Sequence, residues 1–191
     1  ICIFVVQQKT MEGDRYLLHT NQLNITLQRL AHQLIENYDD FNNTCIIGIQ
    51  PRGGLLSDRL RDILAESGNL QFDYGKLDIT YYRDDFRKRD PLLTAYKTQI
   101  DFLIENKRVI LIDDVLFTGR TVQSALTALA DFGRPKTVEL LVLVDRRFHR
   151  ELPLEADYVG AQIDALDDAY VKVEWKHSNG QDAVKLLSAK E

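Results

Sequence analysis

Apolar strand-like runs alternate with helix-period segments along this chain, and that order predicts an α/β fold: a mostly parallel sheet with helices on both faces, plus a small C-terminal flap or hood. Three observations carry the prediction. Leu23, Leu27, Leu30, Leu34 and Tyr38 recur at helical spacing. Short apolar runs at 44–49, 109–112 and 138–144 have the length and composition of buried parallel strands. Glycine-containing loops follow the first two runs and lead into further helical segments. The chain has 191 residues, 45% of them hydrophobic, which suits one domain over 1–191 with residues 1–19 as a candidate N-terminal extension.

Taken in order, residues 21–38 form the first amphipathic helix, with Thr20 or Asn24 as its candidate cap. The run 44–49 is a strand, Gln50-Pro51-Arg52-Gly53-Gly54 a loop, and the helix that follows reaches about Glu66 with Leu55, Leu56, Leu60 and Ile63 inward. Residues 74–82 alternate like a strand, and 83–90 read as a solvated, mobile loop without apolar periodicity. After strand 109–112 a helix from Arg120 should bury Val122, Ala125, Leu126, Leu129 and Phe132 and stop near Gly133 and Pro135. In the tail, 156–159 and 170–175 read as strands and 180–188 as a terminal helix.

Composition narrows the function. A net charge of -5 and a pI near 5.4 give no global attraction to nucleic acid, so RNA binding would need a local basic patch. Cys2 and Cys45 lie in apolar runs without metal-ligand spacing, which predicts reduced thiols and a cytoplasmic location. No apolar run is long enough to span a membrane, and 1–6 is too short for a signal-peptide core. The chain opens on Ile1, with Met11 a candidate start.

The chemistry concentrates at 109–121. A strand should end at Asp113 and Asp114, and Thr118-Gly119-Arg120-Thr121 should lead into a helix. Helix N-termini offer unpaired amides to phosphate, while carboxylates accept hydroxyl protons. A ribose 5-phosphate matches that pairing. An acid pair after a strand is weak alone, since receiver domains and phosphatases gather magnesium with similar acids. The second loop, Pro51-Arg52-Gly53-Gly54, adds two glycines that admit an anion and an arginine suited to phosphate oxygens.

Together these motifs resemble the type I phosphoribosyltransferases, whose signature binds phosphoribosyl pyrophosphate (PRPP). Further blocks narrow the likeness: 77–85 (Leu-Asp-Ile-Thr-Tyr-Tyr-Arg-Asp-Asp), 133–135 (Gly-Arg-Pro), 143–146 (Leu-Val-Asp-Arg), 149–153 (His-Arg-Glu-Leu-Pro) and 156–160 (Ala-Asp-Tyr-Val-Gly). Over roughly 20–176 the chain is similar to the bifunctional pyrimidine-operon attenuator and uracil phosphoribosyltransferase family, PyrR. The resemblance implies a reaction of uracil with PRPP to give UMP and pyrophosphate. Asp113 and Asp114 would hold the ribose hydroxyls. Thr118, Gly119, Arg120 and Thr121 would wrap the 5-phosphate, Pro51, Arg52, Gly53 and Gly54 the pyrophosphate, and Val115, Leu116 and Phe117 would complete the PRPP site. Arg83, with Arg87, Lys88 and Arg89, would close over the site.

The resemblance also implies a strained cis peptide at the 51–52 bond, and a base pocket of Asp145, Arg146, Tyr158 and Val159, with Tyr158 stacking. It implies Mg2+ held mainly by the substrate's own oxygens, without a protein cage, and a homo-oligomer. Arg29, His32, His149 and Arg150 match basic positions that serve RNA binding in the family. Phe117 stands where purine-using relatives carry an aspartate, which favours a pyrimidine. There are departures: Pro51 and Gln28 replace threonines, Ala161 replaces a lysine, and 175–180 drifts from the pattern. The Pro-Arg-Gly-Gly run also resembles xanthine and hypoxanthine enzymes. A purine transferase and a UMP-sensing RNA attenuator with little catalysis therefore stay open beside the uracil enzyme.

Overall fold

The computed structural model describes residues 15–38, 41–68, 70–84, 95–164 and 169–187. Cys2, Met11, Arg87, Lys88 and Arg89 lie outside the described residues.

A five-stranded parallel sheet organises the chain, built from β2 (Thr44–Ile49), β3 (Asp73–Leu77), β4 (Arg108–Leu116), β5 (Thr137–Arg146) and β6 (Tyr158–Ile163) in the order β3-β2-β4-β5-β6. Successive side chains leave a strand on opposite faces. On β4, Ile110 and Ile112 therefore meet α1 (Thr20–Tyr38) and α2 (Arg52–Ser67), while Val109 and Leu111 meet α3 (Arg120–Leu129). Two cores result, one on each face. The chain turns in opposite directions from β2 and β4, so the gap between them is the switch point at which open α/β sheets bind ligands.

Gly48 and Gly53 let α2 lie close to the sheet there. A methyl on Gly53 would sit 2.3 Å from the Ile112 carbonyl oxygen, and one on Gly48 would sit 2.9 Å from that of Gly53. Gly54 has slack by comparison, its nearest neighbour at 3.6 Å. Of the two loop glycines, Gly53 serves helix-to-strand approach.

A second, antiparallel sheet of β1 (Arg15–Leu18), β8 (Ala183–Leu187) and β7 (Tyr170–Glu174) forms the hood. This corrects two expectations. Residues 180–188 do not form a helix: after a single turn, α4 (Lys176–Asn179), Gly180 at φ 80° reverses the chain, and Val184 and Leu186 join the hydrophobic core from a strand. Residues 15–18, placed in the extension, supply the other edge strand that pairs with β8. Local spacing at 180–188 suits either element, and strand pairing decides it.

Smaller differences follow the same logic. β3 stops at Leu77, and Thr80–Tyr82 is a 3-10 turn because Asp78 Oδ1 accepts from both the Thr80 hydroxyl, at 2.7 Å, and its amide. β6 starts at Tyr158 rather than Ala156. Leu126 is 38% exposed instead of buried, and Phe132 is half-buried in a closing 3-10 turn. Neither Thr20 nor Asn24 caps α1. His19 takes that place, its amide held by Gln22 Oε1 at 2.9 Å, while Thr20 Oγ1 donates to the Asp182 carbonyl. The expected pair of core thiols is described only at Cys45, whose thiol burial pushes up to about 12.

Candidate active site at the switch point

Asp113 and Asp114 lie inside β4, two residues short of its end, rather than in the loop after it. Both are buried, at 5% and 6% exposure. Alternation turns Asp113 toward the α3 face and Asp114 toward α2. The Asp114 amide donates to Asp113 Oδ1 at 2.9 Å. Asp114 Oδ2 has no hydrogen-bond partner among the described residues; the nearest cationic group is the Arg52 guanidinium, 4.0 Å away. Burial raises the Asp113 carboxyl well above the ordinary aspartate range, and the neighbouring charge of Asp114 raises it further. Asp114 is raised by burial too, against the pull of Arg52. A buried carboxylate oxygen without a donor is costly unless something arrives to satisfy it.

Beyond Leu116 the chain turns through Phe117, Thr118 and Gly119 into α3. Gly119 adopts φ 92° and has no side chain to cap the helix; the Arg120 amide reaches Thr118 Oγ1 at 3.4 Å, and the later first-turn amides are left for an anion. The loop is backed by the β5–β6 connection. The Glu151 and Leu152 amides donate to the Thr118 carbonyl at 3.0 and 3.3 Å, and Leu152 and Leu154 pack against Gly119.

Across the gap, Arg52 opens α2, with 50% of its side chain exposed, and donates to the Tyr170 hydroxyl at 2.7 Å. Tyr170 belongs to the hood, and its ring also faces the Arg52 guanidinium. Sequence reasoning missed this residue, because nothing local indicates that the tail folds back over the first loop. The cis peptide among the described residues is Gln50–Pro51, one bond earlier than expected.

Comparison with known proteins agrees with this architecture. Residues 16–178 match the phosphoribosyl transferase domain. The chain is 42% identical over 180 residues to the bifunctional protein PyrR of Actinobacillus pleuropneumoniae serotype 5b, covering 93% of this chain and 99% of the relative. It is 44% identical over 173 residues to that of Deinococcus radiodurans, covering 90% and 93%. The chain belongs to the PyrR family. Among solved structures, the hypoxanthine phosphoribosyltransferase of Trypanosoma cruzi in a ternary substrates complex superimposes with TM-score 0.71 at 17% identity, over 92% of this chain and 96% of that one. A Staphylococcus aureus hypoxanthine phosphoribosyltransferase gives 0.67 at 21% identity, over 91% and 92%. These two show the shared fold.

Within this PyrR-family chain the residues expected in the base pocket divide. Asp145 and Arg146 end β5 on the crevice side, both buried, and the Arg146 guanidinium lies 3.9 Å from the Phe117 ring centre. Tyr158 and Val159 do not join them. They begin β6, where Tyr158 pairs in register with Leu141 in the middle of β5, short of Asp145, and its side chain joins the core on the α1 face. The Tyr158 hydroxyl accepts from Asn37 at 2.9 Å and donates to Glu139 at 2.7 Å, so its ring is a core strut rather than a stacking platform.

The expected RNA contacts are also largely committed within the protein. Arg29 donates to the Val159 and Gly160 carbonyls, and His32 Nδ1 lies 2.7 Å from the Gln28 carbonyl. Arg150 bridges Asp145 Oδ1, at 2.5 Å, and the Phe117 carbonyl. It therefore braces the loop that follows β4 instead of projecting outward. His149 meets the Phe117 ring edge-on, with φ at 64°.

Proposed function

We propose that the protein transfers the phosphoribosyl group of PRPP to uracil, releasing UMP and pyrophosphate, with Mg2+ as cofactor. One observation carries this reading: the unsatisfied, buried Asp114 Oδ2 at the switch point, between a glycine-hinged helix N-terminus and Arg52. A ligand that brings hydroxyl donors to that oxygen and phosphates to either side would relieve it. PRPP has this shape, with ribose hydroxyls between a 5-phosphate and a pyrophosphate.

In this reading Asp113 and Asp114 orient the ribose, and their charge stabilises the positive charge that develops at C1 as its bond to pyrophosphate breaks. The leaving pyrophosphate keeps that electron pair, and uracil N1 forms the new bond to C1 while its own proton passes to the departing pyrophosphate or to solvent. Loop 117–121 anchors the 5-phosphate, and Arg52 takes the pyrophosphate. The donor set fits a hard cation only in part, because the described residues contain no cluster of three acidic, histidine or cysteine ligands. Mg2+ would be held by substrate oxygens beside Asp113 and Asp114, where it would neutralise phosphate charge. The Phe117 ring under Arg146 supports a pyrimidine, since it takes the position before Thr118 where purine-using relatives carry an aspartate. Tyr170, at the crevice mouth and 45% exposed, offers the aromatic face that Tyr158 does not.

Steady-state assays with PRPP, Mg2+ and each of uracil, orotate, hypoxanthine, guanine and xanthine test the reading. Uracil should be the preferred base, and a preference for hypoxanthine would overturn the assignment.

Sequence-specific RNA attenuation is proposed to be weak in this chain, because Arg29 and Arg150 are engaged internally and Ala161 cannot neutralise a phosphate. Titration with a hairpin from its own pyrimidine-operon leader, with and without UMP at two salt concentrations, should give weak, salt-sensitive binding. Tight, UMP-enhanced binding that rejects a scrambled hairpin would refute this.

A further inference from the structure

We propose that Arg120 is a positioning residue, a latch that ties the segment carrying Arg83 to the phosphate loop. The inference rests on the phosphoribosyl-transfer reading above. Arg120 is the first residue of α3, within the loop assigned to the 5-phosphate, yet its side chain is committed to protein carboxylates. Along one edge of the guanidinium, Nε donates to Glu151 Oε2 at 2.5 Å and a terminal nitrogen meets the same carboxylate. The other terminal nitrogen meets Asp84. Two acids thus occupy both edges of one planar donor fork.

The two acids belong to different parts of the crevice. Glu151 moves with the phosphate loop, since its own amide and that of Leu152 donate to the Thr118 carbonyl, and the adjacent Arg150 donates to the Phe117 carbonyl. Asp84 follows Arg83 directly, at the end of the segment that leaves β3 through the Thr80–Tyr82 turn. Among the described residues, that segment meets the two ends of α3 through side-chain hydrogen bonds. The Tyr82 hydroxyl donates to Asp131 past the C-terminal end of the helix, and Asp84 reaches Arg120 at its N-terminal end. Removing the Asp84 contact takes away one hold on the end that carries Arg83.

All three side chains of the latch are substantially exposed, at 53%, 59% and 45%, so screening leaves it a small contribution to global stability. Its effect lies in placement. A catalytic group displaced by about 1 Å can cost about 100-fold in rate.

The test compares wild type with R120Q, D84N and the double variant, measuring kcat, KM for PRPP, Tm, and UMP affinity by calorimetry. Each single variant should lower kcat about tenfold or more, and the double variant should be no worse than the poorer single. UMP carries the 5-phosphate but no pyrophosphate, so its affinity should stay within about twofold of wild type, the scatter expected of uncoupled changes. R120K, which keeps the charge but not the two-edged fork, should recover part of the lost kcat. Unchanged kcat in R120Q, additive losses in the double variant, or UMP affinity falling in step with kcat would overturn the latch; the last would put the Arg120 side chain on the phosphate itself. Wild-type protein that neither turns over PRPP nor binds UMP would instead refute the underlying reading, and the latch with it.

Discussion

Two buried carboxylate sites in this protein, the Asp113 and Asp114 pair in the parallel sheet and Glu174 in the hood, have been pushed in opposite directions by their surroundings. Glu174 is 7% exposed, but its cover is a shallow layer of hood side chains, so burial acts on it less strongly than its hydrogen bonds do. It accepts from Lys185 at 2.7 Å, Lys172 at 3.0 Å and Gln181 at 3.0 Å. Those bonds, Lys185 first, pull its carboxyl down to about 2. Asp113 and Asp114 sit beside each other, share one backbone amide, and keep their nearest cation at 4.0 Å, so burial drives both upward. Partnered burial holds a fold together. Burial with too few partners, as at Asp114 Oδ2, costs stability, and under the proposed function a ligand would supply what is missing.

The largest effect is expected where that poise is removed. D114N should cut kcat/KM by about 100- to 1,000-fold, corresponding to about 2.7 to 4 kcal/mol of transition-state stabilisation, while circular dichroism stays native. Turnover close to wild type would dissolve the contrast, making the pair another structural feature.

F117D sharpens the comparison by placing a third acid at the crevice, directly under Arg146. Arg146 should capture the new carboxylate as a salt bridge, so uracil kcat/KM should fall by about 10- to 100-fold with no efficient use of hypoxanthine in exchange. Paired assays with the two bases decide this, and a clean switch to hypoxanthine would show that Phe117 alone sets base choice.

Stability should move in opposite directions at the two sites. E174Q should lower Tm by about 2 to 4 °C at neutral pH if its loss is near 1 kcal/mol. Because the folded carboxyl lies below its ordinary value of 4.5, its stabilisation is present above that pH and fades as pH falls toward about 2. The gap between E174Q and wild type should therefore narrow over that window in thermal melts.

D113N is expected to raise Tm of the ligand-free protein at neutral pH by about 2 to 4 °C, for a gain near 1 kcal/mol. Here the folded carboxyl lies above its ordinary value of 3.8, so the native state holds the proton more tightly than the unfolded chain. Wild-type stability then falls as pH rises through that interval, and the benefit of D113N should shrink as pH is lowered toward 3.8. A destabilising D113N at neutral pH would mean that the pair is satisfied after all.

The sequence by itself determined the parallel-sheet layer and the composition of the crevice. Continuous apolar runs at 44–49 and 109–112 need burial on both faces, and a strand, loop and helix repeated twice places both loops at one end of the sheet. Asp113, Asp114, Arg52 and loop 117–121 were legible for that reason, since each is fixed by its position along a single strand-to-helix unit. Tertiary structure decided whatever depends on partners distant in the chain. Residues 183–187 become a strand because 15–18 and 170–174 pair with them, although their own spacing suits a helix equally. Tyr170 reaches the crevice because the hood sets it against Arg52, and Tyr158 is absent from it because β6 turns that ring into the core against Asn37 and Glu139. Arg120, expected around the 5-phosphate, and Arg150, expected on RNA, are each held by acids or carbonyls from other segments. Periodicity reports which face of an element is buried. The end of the sheet at which a side chain acts, and the groups it meets there, follow from register and long-range pairing.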